Sequence, residues 1–525
     1  MMPPFYLYAL IAFSQLQQPP TQWELSGSVK DSRGPVRGVF VILAGPGQVI
    51  PMKTEANGSF HFRGDVSGLY TLRVQKKDNT AEPRSRAFRL MSGQQVANVE
   101  LQIPSAAILS GRVIDENKRG ASRLTVIALR KVIRDGRLVL EMKGGDRTND
   151  KGDYRITSLP EGTYLVAVLP ATGVVHKVNG KVANQVAVDG LPPMTFAPQD
   201  RNVDSASLYV LHAGEDRQAV DILVRKESTN CFTFQPTGAV DDSRFPSAAY
   251  ATVKEWIGTE VQVIAEGPIE SGQTYEVCGL TRGEYRLHLH SFSTDRKKGI
   301  GYLRATAHLS RQALDLGQLS LRGTVSLEGK VEFKDAKPGD PLPPGIQLNL
   351  TPTDRGILIS DVRQAKVGSL GEINSSGIYV DTYRLSIEGM PPASYVLAAN
   401  QNGVDSLVSG VRPGDGPLLV TLSASGGVLT GTVMDEKDGP VPDASVFLIP
   451  GSGSRTLITE SDQYGSYRFE NQLPPGDYSI IAITGLSESQ RTDPSAVSSL
   501  IGNGKAIRLA EREVKALNLK AQKLP

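Results

Sequence analysis

His212 and Glu215 stand three residues apart, a spacing at which a histidine and a carboxylate can share one zinc ion. His288 and His290 alternate on one strand face and could hold a metal if a third ligand joined them. Neither pair is expected to do so: His212-Ala213-Gly214-Glu215 reads as a turn between two strands, and strand histidines at alternate positions read as packed or solvent-facing. Cys231 and Cys278 are the only cysteines, in the strand-like segments Asn230 to Phe234 and Tyr275 to Leu280, so a disulfide within one domain is expected. Trp23 and Trp256 are the only tryptophans; Trp256, in Lys254-Glu255-Trp256-Ile257, is the candidate sugar contact, with membership of the core or rim as the competing reading. No Gly-x-Ser-x-Gly, His-Glu-x-x-His, Cys-x-x-Cys, phosphate loop or dinucleotide fingerprint occurs. We therefore assign no catalytic residue, cofactor or metal ligand, and expect no enzyme activity.

The elements that must carry these residues are strands. Hydrophobic residues make up 39% of the 525 and aromatics 6%, while 53 Gly and 33 Pro suit many short strands joined by tight turns. The chain shows no long run with a 3.6-residue apolar period, so the fold class is all-β. Charges nearly cancel, with 57 basic and 55 acidic residues and no basic face or tail, which argues against a nucleic-acid partner.

One phrase recurs five times: an aromatic residue, then ten to twelve positions later a tyrosine opening a hydrophobic strand. The pairs are Phe60 and Tyr70, Tyr154 and Tyr164, Tyr275 and Tyr285, Tyr383 and Tyr395, with Tyr379 as the alternative partner of Tyr395, and Tyr467 and Tyr478. Recurrence near every hundred residues marks tandem domains. A tyrosine in a small sandwich can bury its ring and send its hydroxyl to a nearby backbone carbonyl, so Tyr70, Tyr164, Tyr285, Tyr395 and Tyr478 are expected as structural core. An opening phrase, Leu25-Ser26-Gly27, returns as Leu109-Ser110-Gly111 and Leu429-Thr430-Gly431, and for the fourth unit is read at Leu321-Arg322-Gly323. The expected layout is a leader over 1-21 and β-sandwiches over 22-104, 105-227, 228-320, 321-425 and 426-525.

The uncharged apolar run Pro4 to Phe13, followed by a polar tract, reads as a signal peptide and is too short to span a bilayer. The mature protein is expected to be exported, as a periplasmic, cell-surface or secreted protein with no transmembrane span.

Taken together, Leu-Ser/Thr-Gly-x-Val-x-Asp, the segment Pro440 to Val446, Gly-x-aromatic and Pro-x-Gly-x-Tyr resemble the carboxypeptidase regulatory-like domain. The match is good over the first, second and fifth units and partial over the other two. The resemblance implies a seven-stranded Greek-key, transthyretin-like sandwich, similar to starch-binding-like and collagen-adhesin repeats, in a multi-domain exported bacterial protein. It implies a location more firmly than an activity. Collagen-adhesin repeats can carry Lys-Asn isopeptide links, for which Lys30 with Asn98 or Asn518 would be the positions to inspect. The functional expectation is a non-enzymatic scaffold, adhesion or binding protein with a protein or glycan ligand; the alternatives are a carbohydrate-binding protein and an accessory subunit of an envelope complex.

Overall fold

The computed structural model describes residues 22–46, 48–75, 85–134, 137–169, 173–178, 192–238, 247–256, 260–293, 299–310, 312–337, 339–353, 363–451, 456–470, 473–486, 488–491 and 503–523. The expected leader lies outside them. The regular structure of the described chain is almost all strand, with two four-residue helices, arranged as tandem β-sandwiches. Two compact bodies hold it: one contains the strands up to Gln102, the other those from Ala107 onward. Among the described residues no helix is long and apolar enough to cross a membrane.

In the first body the strand Trp23–Asp31 lies between Ser59–Gly64, antiparallel, and Gln95–Gln102, parallel. The facing sheet runs Gln48–Lys53, Phe40–Gly45, Gly68–Gln75, Arg86–Leu90. Alternation places Leu25, Val29, Phe60, Phe62, Tyr70, Leu72 and Leu101 between the sheets.

Parallel pairing of a last strand with a first strand recurs in the other body: Ile222–Leu223 with Ala107–Ile114, Leu314–Gly323 with Asn230–Gly238, Leu418–Ser423 with Val325–Phe333, and Val514–Ala516 with Val428–Met434. This pairing explains the opening glycine. A Cβ on Gly27, Gly111, Gly329 or Gly431 would collide with a carbonyl oxygen of the returning chain, that of Val99, Val220, Leu418 or Leu517 respectively. The fourth opening phrase is thus Leu327-Glu328-Gly329. Leu321-Arg322-Gly323, read from sequence as that opening, is the end of the third unit's last strand.

A second correction concerns the fourth tyrosine. Tyr70, Tyr164, Tyr285 and Tyr478 each donate a hydroxyl hydrogen bond to the carbonyl four residues earlier, at Val66, Pro160, Thr281 and Pro474, over 2.6 to 2.8 Å. In the fourth unit the residue doing so is Tyr383, bonded to Tyr379 O at 3.1 Å. Tyr395 is buried but stands one strand later. Its strand, Tyr395–Gln401, pairs with Leu418–Ser423 in the sheet of the opening strand. The matching strand Arg86–Leu90 of the first unit instead joins the opposite sheet. Replacing Tyr383 by Phe should cost the fourth unit about 1 kcal/mol, and Tyr395→Phe less than half as much, as read by hydrogen exchange of the amides in Val325–Phe333.

Candidate functional site

The third unit departs from the two-sheet plan. Its strands form a closed barrel, in the order Gly173–Lys177, Glu260–Ile269, Ser247–Trp256, Gly283–Ser293, Gly299–Leu309, Leu314–Gly323, Asn230–Gly238, Tyr275–Leu280. The first of these comes from the second unit, between its strands Gly162–Val168 and Thr195–Phe196. Glu260–Ile269 and Tyr275–Leu280 are consecutive, yet Gly173–Lys177 runs between them. It is parallel to the former, with Gly173 opposite Ala265 and Val174 opposite Glu266. It is antiparallel to the latter, with Val175, His176 and Lys177 opposite Val277, Glu276 and Tyr275.

The fit is specific. Val175 is buried in the third unit's core with Phe232, Ala265, Tyr275 and Val277. Gly267 makes room for it, since a Cβ there would meet Val175 Cβ at 3.1 Å and its carbonyl oxygen at 3.2 Å. Beyond the strand, Lys177 Nζ lies 2.7 Å from Glu270 Oε2, and Val178 N donates to Thr274 O at 2.9 Å. Other units meet the same seam with their own atoms. The amide of the third residue of the strand, directly after the aromatic of the Gly-x-aromatic phrase, faces the gap: His61 N donates to Met52 Sδ at 3.3 Å, and Arg155 N to Asp146 Oδ2 at 2.7 Å. In the fourth unit Asn374 N reaches Lys366 O at 3.5 Å.

Cys231 and Cys278 are joined in a disulfide, which staples Tyr275–Leu280, one wall of this seam, to Asn230–Gly238. The Glu276 carboxylate and both sulfurs lie within 4.8 Å of one another. Bonded to each other, the sulfurs are not thiolate ligands.

The outer face of Ser247–Trp256, Gly283–Ser293 and Gly299–Leu309 collects the remaining candidates. His288 and His290 are fully buried and stacked, with ring centroids 6.2 Å apart. His288 Nδ1 lies 3.0 Å from the Tyr302 hydroxyl, and His290 stacks on Phe292 at 5.8 Å. Tyr379 of the fourth unit covers Tyr302 at 5.4 Å, and Arg304 faces Asp381 at 3.7 Å. The pair is therefore packing at the joint of the third and fourth units, and among the described residues no third metal-ligating side chain joins it. Farther along that face Trp256 is half-buried, with the Arg286 guanidinium 4.6 Å over its ring. Arg286 in turn pairs with Glu284 at 2.7 Å and donates to the Thr306 hydroxyl. Trp23 is wholly buried, its indole N–H donating to Val66 O at 2.7 Å.

Other sequence candidates resolve locally. The Glu215 carboxylate accepts the His212 backbone N–H at 2.9 Å, closing the turn. Lys30 pairs with Glu100 at 2.5 Å within the first body, and Asn518 Oδ1 accepts the Thr432 amide at 3.1 Å within the second.

No protein-family model matches the sequence, and no curated protein matches it. Among solved structures the chain is similar to the Bacillus anthracis TIE protein, at 12% identity over 57% of this chain and 50% of that one, with a TM-score of 0.17. It is similar to GBS52, the minor pilin of Streptococcus agalactiae, at 11% identity over 39% of this chain and 95% of that one, TM-score 0.23. It is also similar to BcpA, the major pilin subunit of Bacillus cereus, at 9% identity over 79% and 99%, TM-score 0.14. The chain spans half the length of the first of these.

Sequence reasoning missed three parts of this region. Gly173–Lys177 is a short stretch in an insertion, and only the unusual length of that connection marks it. Tyr302 carries no local signal, and Tyr379 reads from sequence only as an alternative partner of Tyr395, not as a cover for Tyr302. Glu255 lies at the joint of the second and third units beside Arg201 and Glu227, which pair at 2.6 Å, while Arg201 also donates to Arg282 O. Burial pushes the Glu255 carboxyl up to about 7; Arg201 opposes the shift and Glu227 adds to it.

Two outcomes follow. The folded chain holds a proton on Glu255 that the unfolded chain releases, so this contribution is complete below the ordinary value of 4.5 and is lost as pH rises to about 7. Glu255→Gln should flatten that slope and gain about 3 kcal/mol relative to the parent at pH 8, measured by denaturant unfolding at several pH values. Val175→Asp places a charge in the core and should cost more than about 3 kcal/mol, seen as faster hydrogen exchange in Tyr275–Leu280; unchanged exchange there would mean the donated strand does not hold the seam.

Proposed function

We propose that this chain is a non-enzymatic, exported, multi-domain scaffold or adhesion protein built of carboxypeptidase regulatory-like domains. The reading takes five units, the first ending at Ile103, the third with Leu314–Gly323, and the fourth beginning with Val325–Phe333. One observation carries it: Gly173–Lys177 belongs by sequence to the second unit and by pairing to the third. Tension between these units then passes through a strand held on both sides as well as through the linker. The side chains that could have done chemistry support the same reading, because they act as ties. The cystine ties one wall of the seam to the neighbouring strand Asn230–Gly238, and His288 and His290 pack under Tyr302 and Tyr379.

On this reading the ligand is a protein, engaged by the loops in which the units differ; an envelope complex in which this chain is an accessory subunit is one such setting. Carbohydrate binding is the second reading, and it is favoured by Trp256 with Arg286, Glu284 and Thr306 around it, an aromatic ring bordered by polar groups.

Pulling single molecules by their ends should release the second and third units in one event, and two separate events would overturn the coupled scaffold. On a glycan array the same chain should show no saturable binding. Saturable sugar binding that Trp256→Ala abolishes would establish the second reading instead, and peptidase turnover sensitive to a chelator would overturn the non-enzymatic one.

A further inference from the structure

We propose that Gly173–Lys177 exchanges between copies of this chain, the second unit of each copy filling the third-unit seam of the other. The seam is a strand-binding groove whose occupant comes from elsewhere. Its two walls, Glu260–Ile269 and Tyr275–Leu280, are neighbours in sequence but take their hydrogen bonds from the donated strand. If that strand leaves, both walls become open edges, and the core around Phe232, Ala265 and Val277 loses Val175. Open edges of this kind template the addition of another strand.

The residues that line the groove define its complement. It must carry a β-branched residue that sits against Gly267, flanked by a cation that reaches Glu270. The displaced strand of a second copy meets both requirements by identity. One wall of the groove keeps its anchor without the donor, because the cystine holds Tyr275–Leu280 to Asn230–Gly238 independently of Gly173–Lys177. Exchange is reciprocal: each copy has one donor and one groove, so two copies close on themselves about a two-fold axis with no groove left over. The occupant is thus a second copy of this chain, and self-association follows without any external ligand, independently of the scaffold reading.

The Lys177–Glu270 ion pair reports which copy fills the groove. Unlabelled and nitrogen-15-labelled full-length chains, cystines intact, are mixed at increasing concentration, both as folded proteins and refolded together. They are then treated with a zero-length carbodiimide that converts the ion pair to an amide. Mass spectrometry of the crosslinked peptides should find Lys177 of one isotope joined to Glu270 of the other, in a fraction that rises with concentration. Same-isotope crosslinks alone at every concentration would overturn the exchange while leaving the donated strand in place. Absence of any Lys177–Glu270 crosslink would overturn both. A concentration-dependent dimer whose Lys177–Glu270 crosslinks remain same-isotope would place self-association on another surface and also overturn the proposal.

Discussion

A two-sheet sandwich must settle the backbone donors along the side where an edge of one sheet meets an edge of the other. Much of this protein's architecture depends on how that seam is closed. The first unit uses a methionine sulfur, the second an aspartate, and the fourth a backbone carbonyl. The third takes a whole strand from its neighbour, so its sheets join into a barrel and its core includes a valine from the preceding unit. A local hydrogen-bonding requirement thereby becomes a mechanical link between units. The cystine, formed by the two cysteines of the chain, reinforces the same strand.

Polar and aromatic side chains do comparable work at the other joints of the second body. Glu255 with Arg201 and Glu227 sits between the second and third units, and Arg304 with Asp381 and the two histidines between the third and fourth. Between the fourth and fifth, Ala393 donates to Glu470 O at 2.7 Å and accepts from Gly426 N at 2.8 Å, beside the buried Tyr395. Buried polar groups demand particular partners in particular directions, so these contacts define an arrangement more sharply than apolar surface of the same size would.

Recurring local geometry was the legible part. A tyrosine bonded to a carbonyl four residues back, and a glycine where the returning chain crosses, leave short signatures that repeat in any unit that needs them. The fourth unit shows where such reading slips. Ala393-Ser394-Tyr395 imitates the phrase, but Tyr383, ahead of it, makes the corner, because Tyr395–Gln401 has moved to the other sheet and its tyrosine to a joint. Sheet membership is set by which strand offers a free edge, and no residue in the phrase records that. Trp256 was visible as an aromatic residue in a strand, while the guanidinium over its ring was not.

The amino-acid sequence by itself determined that the chain is all-β, that a unit recurs five times, and which tyrosines and glycines most units need, since these follow from alternation, turn chemistry and steric room acting over ten residues or fewer. Only the tertiary structure decided that one unit completes another, that the histidines are packing, and that a glutamate is buried at a joint. Those outcomes depend on strands that meet across some ninety residues of chain, as Gly173 and Ala265 do, and pairing at that distance is chosen by edges and cavities that exist only once the units have folded.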